Sequence, residues 1–115
     1  MSKRRLKDAR ALLDAGQLDA AKEALDALLA ERDTDTGIQY NALVLRGLAL
    51  SRLSSTGEAI KSYQTAIALS PTQALAWQGL SKVLESEERW ADLAEALDEL
   101  LRIFQEACVT ARLSR

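Results

Sequence analysis

The sequence predicts an all-α fold, an α-solenoid of three antiparallel helix pairs, six helices in all. Three observations carry that reading. The 115 residues include one proline and five glycines and are 48% apolar, so helix breakers are scarce and there is material for one core. Apolar residues recur at helical rather than alternating spacing in six successive segments. Matching positions then return at a fixed interval: Ala59 and Leu93 are 34 residues apart, as are Gly47 and Ser81. A unit of that length is a helix-turn-helix that cannot bury its own apolar face and must stack on its neighbours.

The first helix is read from Lys3 to Ala15 on Leu6, Ala9, Leu12 and Leu13, with Gly16 as its stop. The second starts near Leu18 and turns Ala21, Leu25, Leu28 and Leu29 to one face, opposite Lys22, Glu23 and Asp26. Only about two residues separate these segments, which makes them antiparallel neighbours. Glu31 to Gly37 is a polar connection, and Asp35 or Thr36 is expected to cap the third helix. From Ile38 to Leu53 the chain is apolar on most of its circumference, so this third helix should be sandwiched.

Ser55 and Glu58 stand in capping-box register for the fourth helix, read from Gly57 to Leu69. Ser70 is then the expected cap of the fifth helix, with Pro71 in its first turn and Gln73 as reciprocal partner, giving a helix from Thr72 to about Glu85. The sixth begins near Trp90, carries Leu93, Leu97, Leu100, Leu101, Ile103 and Phe104, and runs towards Leu113 with a polar end expected to fray.

The repeated marks are Trp77, Leu80, Ser81, Leu84, Leu93 and Leu97 in the third pair, and Leu43, Arg46, Gly47, Leu50, Ala59, Tyr63 and Pro71 in the second. The first pair keeps Ala9, Leu12, Ala21 and Leu25 but departs at Arg5 and Asp8, and it lies 38 residues from the second, counted from Ala21 to Ala59. On these residues the chain resembles the tetratricopeptide repeat (TPR) family. The resemblance divides a single array, 1–115, into a degenerate repeat at 3–35, repeats at 36–73 and 74–107, and a tail at 108–115. Small residues at Ala9, Ala21, Gly47, Ala59 and Ser81 allow helices to approach closely, and Trp77 is expected to fill the space between the second and third repeats.

A narrower resemblance rests on Asn41-Ala42-Leu43-Val44, the ladder from Ala59 to Pro71, and Ala74-Leu75-Ala76-Trp77-Gln78-Gly79-Leu80 followed by Asp92-Leu93 and Leu100 to Phe104. From about Lys7 to Phe104 the chain is similar to the N-terminal repeats of the TPR scaffold subunits of the superkiller complex, although those subunits are far longer. That likeness implies a cytoplasmic protein-interaction scaffold whose partners are a helicase and a WD-repeat protein, acting in exosome-linked mRNA decay. The alternatives are a generic TPR adaptor binding a peptide of another partner, or an RNA-contacting module using the basic start.

Composition argues against chemistry. There is no histidine, and Cys108 is the sole cysteine, so the commonest general base and any clustered metal ligands are missing. No catalytic residue, cofactor, metal or small-molecule substrate is expected. No run of about 18 apolar residues marks a membrane span, and the start Met-Ser-Lys-Arg-Arg-Leu-Lys lacks the apolar core of a secretory signal. The expected location is the cytoplasm, with the nucleus also open. The net charge of -2 hides a basic start, Lys3, Arg4, Arg5, Lys7 and Arg10, and an acidic last third. No aromatic accompanies the basic cluster, so RNA contact through it would be to phosphate rather than by base stacking.

In a TPR array the first helix of each pair lines the concave face. The candidate partner-binding residues are therefore Lys3, Leu6, Arg10 and Leu13, then Asn41, Val44, Leu48 and Arg52, then Leu75, Gln78, Lys82 and Glu85. Their apolar members would either receive an extended or helical peptide or pack against neighbouring helices. The carboxylate clamp of chaperone-binding TPR proteins falls here on Leu6, Arg10, Leu45, Leu75 and Gly79, where only Arg10 is polar, so that clamp is absent.

Overall fold

A computed structural model describes the backbone over residues 2–31 and 35–113, and side chains within that span from 3 to 108. It contains α1 (Ser2–Asp14), α2 (Leu18–Leu29), α3 (Thr36–Arg52), α4 (Thr56–Leu69), α5 (Ala74–Ser86) and α6 (Trp90–Leu113), with no strand among the described residues. Each helix packs on the next in the chain. The first helices of the pairs, α1, α3 and α5, also touch one another in sequence, whereas α2, α4 and α6 do not. The stack therefore closes on the side of the first helices, making that side concave, and splays on the other.

The turn inside each pair is the same structure three times. Gly16, Ser54 and Glu88 all adopt a left-handed conformation, with φ of 82°, 66° and 57°. The following N–H reaches back across it: Gln17 to the Leu12 carbonyl at 2.9 Å, Ser55 to Leu50 at 2.8 Å and Arg89 to Leu84 at 2.9 Å. This is a left-handed helix stop, and only the first copy uses the glycine that favours it. At the start of α3, the Asp35 carboxylate accepts from the Gly37 N–H at 3.1 Å, as a capping residue should.

The other two expected caps are not made. Ser55 precedes α4 without a side-chain capping bond. α5 begins at Ala74, later than Pro71 suggested; Pro71 lies in the preceding turn, and Gln73 Nε2 donates to Ser70 Oγ at 3.0 Å instead of closing a capping box. Tyr40 of α3 replaces that cap. Its Oη accepts the Ala76 N–H at 2.9 Å and donates to the Gln73 carbonyl at 3.4 Å, so the first turn of α5 is completed by a side chain from the preceding repeat. α6 continues unbroken through residues 108–113, which the sequence assigned to a tail.

The core is a run of buried stripes. Ala9, Leu25, Leu28 and Ala42 join α1, α2 and α3, while Tyr40, Leu50, Ala59, Tyr63, Ala76 and Leu80 belong to the larger cluster that continues through α5. Leu13 is 1% exposed and packs with Ala21 and Ala49, not on the concave surface. It follows Ala9 by one helical turn and shares that residue's inward stripe. Arg46 adds a polar tie: its Nε meets Asp26 Oδ1 of α2 at 2.6 Å and its Nη1 bonds Ser62 Oγ of α4.

Tyr63, not Trp77, fills the space between the second and third repeats. The Tyr63 side chain is 2% exposed and its ring lies against Gly47 of α3 and Gly79 of α5. A Cβ at Gly47 would stand 2.8 Å from Tyr63 Cζ, and one at Gly79 would stand closer still. Trp77 packs at the edge of the cluster, half-buried, with its indole N–H donating to the Pro71 carbonyl at 3.0 Å.

Two stability measurements check this packing. Replacing a helical glycine by alanine gains about 1 kcal/mol of intrinsic preference, and overpacking a rigid site costs ~1–3 kcal/mol. Gly79→Ala is therefore expected to lower the urea midpoint, and Gly57→Ala, whose Cβ would meet nothing within 4 Å, to raise it. Tyr40→Phe leaves the Ala76 N–H without its acceptor and is expected to cost about 1 kcal/mol in the same assay.

Candidate interaction groove

Two adjoining cavities, about 320 and 500 Å³, run along the concave side. Between α1 and α3, the side chains of Lys3, Leu6, Lys7 and Arg10 face Asn41 and Val44. Between α3 and α5, Val44 and Leu48 face Leu75, Gln78 and Lys82. Val44 and Leu75 line both cavities, so they form one groove crossing the three first helices.

Most of the residues expected on this face are thus brought together. Leu6, Arg10, Asn41, Val44 and Leu75 meet in the first cavity, and Val44, Leu48, Leu75, Gln78 and Lys82 in the second. Leu13 is enclosed, and Arg52 and Glu85 are exposed without lining either cavity. Val44 is 7% exposed and forms floor, whereas Leu75, at 50%, stands up into the groove. Asn41 Nδ2 donates to the Gly37 carbonyl one turn earlier at 3.0 Å, which lays its side chain along its own helix.

The floor of the second cavity includes Tyr63, Gly79 and Ser81. Sequence reasoning placed none of these in the site. A glycine inside a helix, with no turn to make, is the signal that marked the place, because it implies close approach by another group. Burial pushes the Tyr63 hydroxyl up to about 12, with Arg52 pulling the other way, and burial also raises Tyr40 against the bond from Ala76. Both phenols are protonated at neutral pH. They are structural here and supply no general base.

The electrostatics of the groove are one-sided. Lys3, Lys7 and Arg10 rim one end and Lys82 the other, and no carboxylate lines either cavity among the described residues. Apolar floor with cationic ends suits a chain that offers apolar side chains between acidic groups. The opposite side of the molecule is different. Because α4 and α6 splay apart, a cleft of about 550 Å³ opens over Ile60, Ile67, Trp77 and Leu80, with Glu95 and Asp98 among the carboxylates at its rim. Nothing in the helical period announced that cleft.

The tetratricopeptide repeat profile matches residues 6–74 and again 44–107. Tetratricopeptide repeat protein 37 of Xenopus laevis is 32% identical over 104 residues, covering 87% of this chain. Superkiller complex protein 3 of Mus musculus and of Homo sapiens is 33% identical over 101 residues, again 87% of the chain. The chain spans 6% of the length of these relatives. Among solved structures, the Hsp90 co-chaperone Cns1 from Saccharomyces cerevisiae superposes with a TM-score of 0.77 at 17% identity, covering 98% of this chain and 41% of that one. MamA superposes with a TM-score of 0.76 at 25% identity, covering 89% of this chain and 57% of that one. The likeness to Cns1 is one of fold. No helix among the described residues is long and apolar enough to cross a membrane.

The Tyr63 shift makes the groove floor sensitive to alkali. The folded state holds the phenolic proton to about 12 while the unfolded chain releases it near 10.0, so the stability due to Tyr63 is fully present below 10.0 and is lost as pH rises through about 12. Urea midpoints measured across that window are expected to fall. Tyr63→Phe should flatten most of the decline and leave the part due to Tyr40.

Proposed function

The chain belongs to the tetratricopeptide repeat family, and from that premise we propose that it is a non-catalytic interaction scaffold whose groove holds a peptide with apolar anchors and flanking acidic residues. The observation that carries this reading is the continuity of the groove through Val44 and Leu75 between cationic ends. Leu75 supplies the exposed anchor contact and Val44 the floor beneath it. Lys3, Lys7, Arg10 and Lys82 supply charge that steers an acidic ligand and sets its direction.

The narrower reading is that this scaffold works in the setting of the superkiller complex, in the cytoplasm, with a helicase and a WD-repeat protein as partners and RNA decay as the outcome. Identity to Superkiller complex protein 3 over most of the chain supports it. The groove is compatible with a segment of either partner.

Selection from a randomised peptide library tests the groove. Enriched peptides are expected to combine apolar and acidic residues and to bind Leu75→Asp at least about tenfold more weakly, a loss of ~1.4 kcal/mol. Lys82→Glu should weaken those with an acidic end. Peptides that bind wild type and Leu75→Asp equally would remove the groove from the account. Co-purification from cytoplasmic extract that recovers neither the helicase nor the WD-repeat protein would end the narrower reading alone. Titration with single-stranded RNA at two salt concentrations separates the basic-start alternative, which requires tight binding and a steep salt slope.

A further inference from the structure

We propose that the outer face of α6 is a self-association seam, and that its occupant is α6 of a second copy of this chain, packed antiparallel about a twofold axis. This surface is separate from the groove and stands independently of the peptide reading. The starting observation is spacing. Trp90, Ala94, Leu97, Leu101, Phe104 and Cys108 succeed one another at alternating intervals of four and three residues, the heptad period of a coiled coil. All are exposed: Trp90 at 60%, Leu97 at 50%, Leu101 at 57% and Phe104 at 49%, with Ala94 and Cys108 also on the surface. The helix satisfies its own pair with different residues, since Ala96, Leu100 and Ile103 are the buried ones.

The same surface is covered elsewhere in the molecule. The position of Leu97 is held by Tyr63 in the second pair and Leu25 in the first, and these are 2% and 0% exposed. At those junctions the next repeat closes over the residue. Leu97 is the third of the series and is open. The seam therefore continues an interface that the fold already uses twice, and it accepts a helix.

Length and charge choose which helix. One the size of α5, 13 residues or about 20 Å, would leave part of the seam bare, because the seam runs 19 residues from Trp90 to Cys108, about 27 Å. A second α6, with 24 residues, has the length to cover it. In the sequence, Trp90 to Leu101 carries four acidic residues and no basic one, whereas Arg102 to Arg115 carries three arginines and one glutamate. Antiparallel pairing sets acidic half against basic half and opposes the helix dipoles; parallel pairing would stack the acidic halves. The register that closes the twofold puts Leu101 against the partner's Phe104 and Leu97 against the partner's Cys108, large against small. An apolar strip of roughly 300–600 Å² per copy, doubled, reaches the scale of a specific interface.

Sedimentation equilibrium through the micromolar range is expected to report a dimer. Leu101→Glu should convert it to monomer with unchanged helical circular dichroism, because Leu101 is exposed within its own chain. Cys108 provides the register test. In the antiparallel seam the two Cys108 thiols lie far apart, so oxidised wild type should not cross-link, whereas Leu97→Cys should give a covalent dimer through Cys108 of the other copy. Within one chain these two positions lie eleven residues apart on a helix and cannot bond. A monomeric wild type, whatever other helix the seam then binds, overturns the proposal. So does a dimer that survives Leu101→Glu, a wild-type disulfide through Cys108, or a Leu97→Cys dimer that fails to cross-link.

Discussion

The position of one aromatic ring governs this molecule. Tyr63 projects from α4 into a space that exists only because α3 and α5 each present a glycine to it, at Gly47 and Gly79. Those contacts determine how near two first helices of successive repeats can come. The width of the groove between α3 and α5, and hence what fits over Val44 and Leu75, is set by that approach. In the first junction Leu25 holds the equivalent place with a smaller side chain, and the cavity between α1 and α3 is smaller and rimmed by long cationic side chains. Interface geometry in a stacked array is local, so each groove segment is shaped by the single residue behind it.

The architecture was legible because it is periodic. Ala9, Ala21, Gly47 and Ala59 are small where helices approach, and apolar residues return every three or four positions between them. Gly16 and Asp35 announced their helix ends because each acts on backbone a few residues away. What was hidden acts over distance. The cap of α5 comes from Tyr40, thirty-six residues before Ala76, and no local rule could weigh it against the nearby Ser70 and Pro71. The left-handed turns at Ser54 and Glu88 were invisible for the opposite reason: the fold imposes the conformation on residues that do not advertise it.

The candidate site was legible to the same degree. Counting along first helices gathered Leu6, Arg10, Asn41, Val44, Leu48, Leu75, Gln78 and Lys82 around one groove. It misjudged Leu13, whose stripe is set by Ala9 rather than by the surface, and it passed over Gly79, whose importance depends on a tyrosine sixteen residues earlier. The outer cleft of carboxylates arises from helices that fail to touch, and a pattern of contacts in sequence cannot foretell a gap.

The hydroxyl of Tyr40 carries one more meaning. A helix of 13 residues such as α5 is too short to persist by itself in water, because its first turn costs more than it returns. Here the second repeat lends that turn an acceptor, so α5 nucleates on a surface that must already be in place. The array thereby acquires a direction of assembly, from the second pair toward the third, and the third pair cannot melt inward from its own end without first releasing a bond rooted in the second. Cooperativity along the stack rests in part on a single phenol.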